Sequence, residues 1–315
     1  GTGRPWDLDR SRGGVHVLQA SHGAGQSEWY QGTADAIYQN LIHLRRRRVE
    51  QVLVLSGDHV YKMDYNLLYE FHRSTGAAVT VAVTEVPAEA VSQFGILETA
   101  PDGCVIGFQE KPKRSSSRLA SMGVYLFDRD ALVHWLAEDA ALADSGRDFG
   151  KDILPRLVAR GEPVYAFQFD DYWQDVGTLD SYYQTNLDFL KPQPPLDLSD
   201  PGWVIHTQSA DRPPVRFEAG SAVTRSFIAN GCRIAGRVEN SMLFPGVIVE
   251  AGAVVRDSIV MHDALIARGA LAIIREQRFP HAGARVGRCH GQDRGCQTLE
   301  DLRGPPTVGD VAPAS

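Results

Sequence analysis

Two carboxylates set the first question this sequence raises. Leu53 to His59 reads L-V-L-S-G-D-H, an apolar strand that stops at Gly57 and then presents Asp58. Open α/β sheets bind ligands where the carboxyl ends of strands meet the following loops. A small residue there lets a phosphate or sugar approach the backbone, and a carboxylate can hold a divalent cation. The second carboxylate, Asp175, lies in Y-W-Q-D-V-G-T at 172–178, just ahead of a predicted helix. Together they could clamp one Mg²⁺, which takes one or two protein carboxylates and completes its shell with water and phosphate. An ordinary turn accounts equally well for either acid alone.

Three further strings carry polar groups at element ends. Phe108-Gln109-Glu110-Lys111-Pro112 ends a strand with a carboxylate, an ammonium and a proline stop. Lys111 could meet a phosphate as a point charge while Glu110 accepts sugar hydroxyls, or the two could form a surface ion pair. Trp29 to Ala36, W-Y-Q-G-T-A-D-A, places a glycine and a hydroxyl at the start of a helix. Free amides there could read a base edge or hold an anion, and Thr33 could equally be a simple cap. The run Arg45 to Arg48 reads as a solvated helix end rather than an anion site.

The elements that must position these groups alternate. A helix is expected over 33–48, a strand over 51–55, a helix near 66–74 closed by Gly76, and a β-rich run over 78–83. A hairpin over 94–98 and 105–110 turns at Pro101-Asp102-Gly103. Strand 121–127, helices 129–138 and 150–160, strand 164–169 and helix 178–190 follow. Such alternation implies a Rossmann-like α/β domain over 1–190 with a mostly parallel sheet covered on both faces. A Pro-rich stretch over 191–214 reads as a linker. Beyond it the period changes to six: Val247, Ala253, Ile259, Leu265 and Leu271 recur in phase, with Ile228 and Ile234 one residue out. That beat predicts a hexapeptide β-helix over 215–290, ahead of a flexible tail over 291–315.

Composition narrows the function. Net charge is −7, from 39 acidic against 32 basic residues, which argues against a nucleic-acid binder. No apolar run approaches the roughly 20 residues of a membrane helix, and no signal peptide is visible. Four scattered cysteines, Cys104, Cys232, Cys289 and Cys296, fit a cytoplasmic protein without disulfides. Cys289-His290 with Cys296 lacks a fourth ligand for zinc.

Taken in order, W-Y-Q-G-T-A-D-A at 29–36, S-G-D-H-V-Y-K-M-D-Y at 56–65, F-G-I-L at 94–97, E-K-P at 110–112, A-S-M-G-V-Y-L-F at 120–127, D-F-G-K-D-I-L-P at 148–155 and Y-W-Q-D-V-G-T at 172–178 resemble the glucose-1-phosphate adenylyltransferases. The resemblance covers about residues 4–290. It implies a nucleotide-binding α/β domain followed by a left-handed β-helix, assembled as a homotetramer under allosteric control. It implies that ATP and glucose 1-phosphate give ADP-glucose and pyrophosphate, for glycogen synthesis. Gly32 and Thr33 would face the adenine. Asp58 and Asp175 would hold Mg²⁺. Tyr30, Gly95, Glu110, Lys111, Ser121, Tyr125, Asp148, Phe149 and Trp173 would line the sugar phosphate site. Asp58, Lys111 and Asp175 would carry the catalysis.

Two departures bear on activity. The family opens with a strand and a loop of the type G-G-x-G-T-R-L that cradles the triphosphate, whereas Gly1-Thr2-Gly3-Arg4-Pro5-Trp6-Asp7 resembles a later segment. Residues 1–315 alone are therefore expected to fold poorly in the first domain and to catalyse weakly, while a full-length parent is active. Ser21-His22 stands where the family commonly has two glutamines, which puts base choice and regulation in question. The competing expectations are a nucleotidylyltransferase for another sugar or cyclitol phosphate, one using GTP, and a catalytically silent regulatory subunit. A hexapeptide acyltransferase, with His262 as its only candidate base, is the remaining one.

Overall fold

In the computed structural model the described residues are 15–18, 29–45, 49–205, 211–273 and the strand Arg285–Val286. Gly1 to Asp7, Ser21-His22, Arg46 to Arg48, Cys289, Cys296 and the expected tail lie outside them. The chain divides into two compact units, Gly1–Thr185 with Pro195–Ser209, and Asn186–Pro194 with Ala210–Ser315. The stretch read as a linker is thus shared between the two.

The first unit runs α1 (Thr33–Tyr38), α2 (Leu41–Arg45), β1 (Gln51–Leu55), β2 (His59–Tyr61), α3 (Tyr65–Thr75), β3 (Val79–Glu85), β4 (Gly95–Thr99), β5 (Val105–Glu110), β6 (Leu119–Asp128), α4 (Arg129–Ala140), α5 (Leu154–Ala159), β7 (Val164–Gln168), β8 (Trp173–Asp175) and α6 (Leu179–Asp188). The single helix expected over 33–48 is broken after Tyr38. There the Asn40 side-chain amide donates to Ala36 O at 2.8 Å and to the Tyr30 hydroxyl at 3.0 Å, and such local bonding by Asn competes with the helix. α3 ends as its sequence promised, closed by Gly76 at φ 64°, and it begins on Asp64, whose side chain accepts from Asn66 N.

The sheet is mixed rather than mostly parallel. β6 lies at its centre and runs antiparallel to β1, β3 and β4, while β3 and β7 pair in parallel. Alternating helix and strand fixes the direction of β1, β3 and β7, which agree; it does not fix their neighbours, and β6 is inserted between β1 and β3. β6 reads L-A-S-M-G-V-Y-L-F-D, apolar apart from Ser121 and the terminal Asp128, because both its faces are covered. Tyr125 and Phe127 face a core shared with Leu132, Trp135, Phe149 and Leu154, while Met122, Val124 and Leu126 face Leu68 and Phe169. Gly123, at φ 66°, interrupts β6 beside the irregularity between Val81 and Val83 of β3, the role a glycine inside a strand commonly plays. β2 and β8 form a separate two-stranded antiparallel ribbon.

In the second unit, short strands from Arg216–Phe217 onward fall into three parallel sheets, each strand pairing with its equivalent one coil later. The six-residue beat is present but is not the true register. Arg237 pairs with Val254 and Val254 with Leu271, Met242 with Ile259, and Ile248 with Leu265, so equivalent residues lie 17 apart. Three sixes overshoot each coil by one residue. Leu271, counted as a core beat, is accordingly 45% exposed, whereas Ala264, Ile266, Ala270 and Ala272 are buried. One earlier coil is shorter still, since Arg233 pairs with Ile248 only 15 residues on. Gly236 sits at that tightened corner, where a side chain would collide with the carbonyls of Glu250 and Ala253. Asn240 and Asp257 take the left-handed conformation, at φ 45° and 47°. The serine after each continues a ladder in which Ser258 N donates to Ser241 Oγ and Ser241 N to Ser226 Oγ, both at 3.1 Å. His262 stands edge-on to Phe244 at 5.0 Å.

Candidate active site

A cavity of about 510 Å³ opens over the ends of β1, β4, β5 and β6 in the first unit. Thr33, Gly95, Glu110, Lys111, Ser121, Tyr125, Asp148, Phe149 and Asp175, all singled out from the sequence, line it. Ser56, Gly57, His59, Gly123 and Gly150 line it as well. Nothing lies within 4 Å of where a side chain at Gly57 would begin, so the backbone there is open to a ligand. Tyr30, Gly32, Asp58 and Trp173 are not lining residues.

Glu110 is the best-framed of these groups. A methyl group on Gly95 would lie 2.9 Å from its Oε2, and one on Gly150 would lie 2.7 Å away. Two glycines from distant elements thus leave the carboxylate room. Burial raises the Glu110 carboxyl above the usual glutamate range; Lys111 opposes this, Asp148 adds to it, and Lys151 opposes it. Lys111 follows with φ 46°, its amide held by Phe94 O at 3.1 Å. That conformation costs a non-glycine residue on the order of 1 kcal/mol or more, and Pro112 stops the strand from continuing. Tyr125 is buried against Phe127 and Phe149. Burial pushes its phenol up to about 12, and the hydroxyl of Ser121 donates to it at 3.4 Å.

Asp148 and Thr33 are joined although 115 residues apart. Asp148 Oδ1 accepts from Gly150 N and Lys151 N, capping the π-helical turn Phe149–Ile153. Its Oδ2 accepts from Thr33 Oγ at 3.0 Å, and Thr33 Oγ in turn accepts from Phe149 N at 3.2 Å. Thr33 is therefore not the cap of α1; Gly32 holds that place without a side-chain bond. The amides of Ala34 and Asp35, which could have met an anion or a base, both donate to Arg147 O. Gly32 packs against the carbonyls of Gly146 and Arg147, where a side chain would clash. Below them Asp35, fully buried, is paired with Arg147 at 3.0 Å and accepts from Gln31 N and Gln39 Nε2. Tyr30 accepts from Asn40 and donates to Leu18 O at 3.4 Å.

The two acids that opened the sequence argument are brought together by the β2–β8 ribbon. His59 is in register with Asp175, and Val176 N donates to Asp58 O at 3.0 Å. Ser56 Oγ donates to Asp58 Oδ1 at 2.6 Å and is the main cause that lowers this carboxyl below its usual range. Gly177 N donates to Asp175 Oδ1 at 2.7 Å. A methyl group on Gly177 would lie 3.0 Å from Asp175 Oδ1 and 3.5 Å from Asp58 Oδ2, so one oxygen of each acid faces the same point. Both side chains are partly exposed, at 59% and 34%. Two hydrated carboxylates with no soft ligand suit a hard divalent cation that keeps part of its water shell.

His59 is the residue the sequence reading missed, and Trp173, expected in the sugar pocket, takes a different place. The His59 ring stands edge-on to Trp173 at 5.2 Å, and Trp173 stands at 5.2 Å from Phe94. Trp173 thereby supports the ribbon and the hairpin end instead of lining the cavity. His59 carried a signal, as the residue directly after Asp58; its proximity to Asp175 carried none, because it depends on strand pairing.

A nucleotidyl transferase family model matches residues 8–191, and a GlmU-like C-terminal hexapeptide model matches residues 213–300. A glucose-1-phosphate adenylyltransferase of Fervidobacterium nodosum is 42% identical over 293 residues, covering 92% of this chain and 70% of the relative. Proteins of the same name from Acetivibrio thermocellus and Thermotoga sp. are 42% and 46% identical, covering 84% and 81% of this chain. The chain spans 62% and 61% of those two relatives' length. With the site strings, the mixed sheet and the hexapeptide coils all in agreement, the chain belongs to the glucose-1-phosphate adenylyltransferase family of nucleotidyl transferases.

Proposed function

We propose that this protein transfers the adenylyl group of ATP to glucose 1-phosphate, giving ADP-glucose and pyrophosphate as a glucosyl donor for glycogen synthesis. The observation that carries the reading is the convergence of Glu110, Lys111, Ser121, Tyr125, Phe149 and Asp175 on one cavity from four separate stretches of chain. In this reading a sugar phosphate oxygen bonds to the α-phosphorus of ATP while the bond to pyrophosphate breaks. Such chemistry needs alignment and charge neutralisation more than an acid–base pair. Glu110 accepts sugar hydroxyls between Gly95 and Gly150. Lys111 places its ammonium on the sugar phosphate, and its constrained backbone keeps that charge at the strand end. Tyr125 and Phe149 form the apolar floor, and Ser121 orients Tyr125. Asp148 acts chiefly by holding Thr33 and the turn at Phe149, because its oxygens already accept three hydrogen bonds. Gly32 and Thr33 belong to the nucleotide side of the site through the position of α1, and Tyr30 to its sugar phosphate side. Asp58 and Asp175 would hold Mg²⁺, which when bound neutralises charge on the reacting phosphates. A homotetramer with small-molecule effectors completes the proposal. No helix among the described residues is long and apolar enough to cross a membrane.

Pyrophosphate release by the product of the full reading frame, assayed with a panel of nucleoside triphosphates and sugar phosphates, tests this reading. The expected result is a clear preference for ATP with glucose 1-phosphate. Preference for another sugar or cyclitol phosphate, or for GTP, would overturn the substrate assignment. Absence of turnover with retained glucose 1-phosphate binding would mark a silent regulatory subunit.

A further inference from the structure

We infer that His59 and Gly177 form a positioning pair that turns the carboxylates of Asp58 and Asp175 so that one oxygen of each meets a single divalent cation. The inference rests on the proposal that Asp58 and Asp175 bind such a cation, and it assigns roles to two residues outside that pair.

The geometry divides the four carboxylate oxygens into two sets. His59 Nε2 lies 3.6 Å from Asp58 Oδ1 and 3.9 Å from Asp175 Oδ2. The other two oxygens, Asp58 Oδ2 and Asp175 Oδ1, are those that face the point above Gly177. The imidazole edge is thus directed at one oxygen of each acid and leaves the other two turned toward the glycine. Gly177 has no side chain to occupy that point, and its amide fixes Asp175 Oδ1 from below at 2.7 Å.

The ring is held there by its surroundings. Its side chain is only 9% exposed, and it stands edge-on to Trp173. Gly123 is the residue that admits it: a methyl group at Gly123 would come within 3.3 Å of His59 Cε1. His59 Nδ1 is buried without a hydrogen-bond partner among the described residues. A buried polar atom left unpartnered costs stability. Its place opposite Asp175 in the ribbon register leaves the other nitrogen facing both acids. Residues that orient metal-binding side chains typically contribute 10–100-fold to metal affinity.

Mn²⁺ alone, standing in for Mg²⁺ and followed by electron paramagnetic resonance of the free ion, is the probe. The full-length protein would be titrated as wild type, His59→Phe, His59→Gln, Gly177→Ala and the Asp58→Asn/Asp175→Asn pair, with glucose 1-phosphate binding measured on each sample as the check on folding. The expected result is a loss of about tenfold or more in Mn²⁺ affinity for His59→Phe and for Gly177→Ala. His59→Gln, which can put an amide nitrogen where Nε2 stood, should stay within about threefold of wild type, and glucose 1-phosphate binding should be kept in the His59 and Gly177 variants. Wild-type Mn²⁺ affinity in both His59→Phe and Gly177→Ala, with loss in the paired asparagine variant, would overturn the inference and leave the carboxylate site standing. Wild-type affinity in the paired asparagine variant, or no Mn²⁺ binding by the wild type, would overturn both. If His59→Phe fails to bind glucose 1-phosphate, His59→Gln and Gly177→Ala decide: near-wild-type and weakened Mn²⁺ binding respectively uphold the inference, and any other pattern overturns it.

Discussion

The two units of this chain are stabilised by contacts of opposite range. In the hexapeptide unit every strand pairs with a strand 15, 17 or 20 residues away, so each coil depends on its immediate neighbours. In the nucleotidyl transferase unit the decisive contacts are distant in sequence: Thr33 with Asp148, Asp35 with Arg147, His59 with Asp175. The first design makes structure from repetition and leaves little that is chemically singular. The second gathers singular residues at one cavity, and its polar groups are committed to one another before any ligand arrives. A change in the coils should therefore act on stability, and a change at the cavity on chemistry.

Substitutions can break that contrast, and the largest effect belongs to the cavity. Asp175→Asn should lower turnover on the order of 10³-fold, because a metal-binding carboxylate supplies several kcal/mol in the transition state. Unfolding temperature should scarcely move, and steady-state pyrophosphate release beside a thermal melt checks both. In the coils, Ile266→Ala should cost about 2–5 kcal/mol of stability in that unit's unfolding transition, with turnover per folded molecule retained; urea denaturation measures it. A catalytic loss as large as that of Asp175→Asn would contradict the division of labour.

Glu110→Gln sharpens the comparison, since it should separate function from stability within one residue. Burial raises the Glu110 carboxyl pKa above the ordinary 4.5, so the folded chain holds this proton more readily than the unfolded chain. The associated stability is fully present below about pH 4.5 and is lost as pH rises through the raised folded value. Glutamine removes the ionised form, so the variant should be at least as stable as wild type at neutral pH and above. Its affinity for glucose 1-phosphate should fall about 10–100-fold, as expected when a charged hydrogen-bond acceptor is lost. Calorimetric titration and melts across pH read the two effects. The smallest effect is at Leu271: Leu271→Ser should change stability by less than about 0.5 kcal/mol, because the 17-residue coil turns it outward. A core-sized loss would restore the strict six-residue register.

What the sequence made legible follows the same contrast. The coils announced themselves because their contacts are local and periodic; what escaped was the true coil length, 17 residues in most cases and 15 in one, which shows in Leu271 but not in the count of sixes. Strand and helix positions in the first unit were legible from apolar runs and from stops such as Gly76. The neighbours of β6 were not, since alternation fixes strand direction and leaves order free. Asp58 and Asp175 were legible as acids at strand ends. Their meeting needed the β2–β8 ribbon, and the roles of Gly95, Gly123, Gly150 and Gly177 needed coordinates, because a glycine's use is the space it leaves.

If Asp58 and Asp175 hold the divalent cation and Glu110 the sugar, a product complex should show both at once. A crystal of the full-length protein soaked with ADP-glucose and Mn²⁺, with anomalous data collected for the metal, tests it directly. The account predicts a single strong anomalous peak above Gly177, bonded to both carboxylates, with the sugar between Gly95 and Gly150. A peak away from these two acids, or ADP-glucose bound with its sugar clear of Glu110, would contradict it.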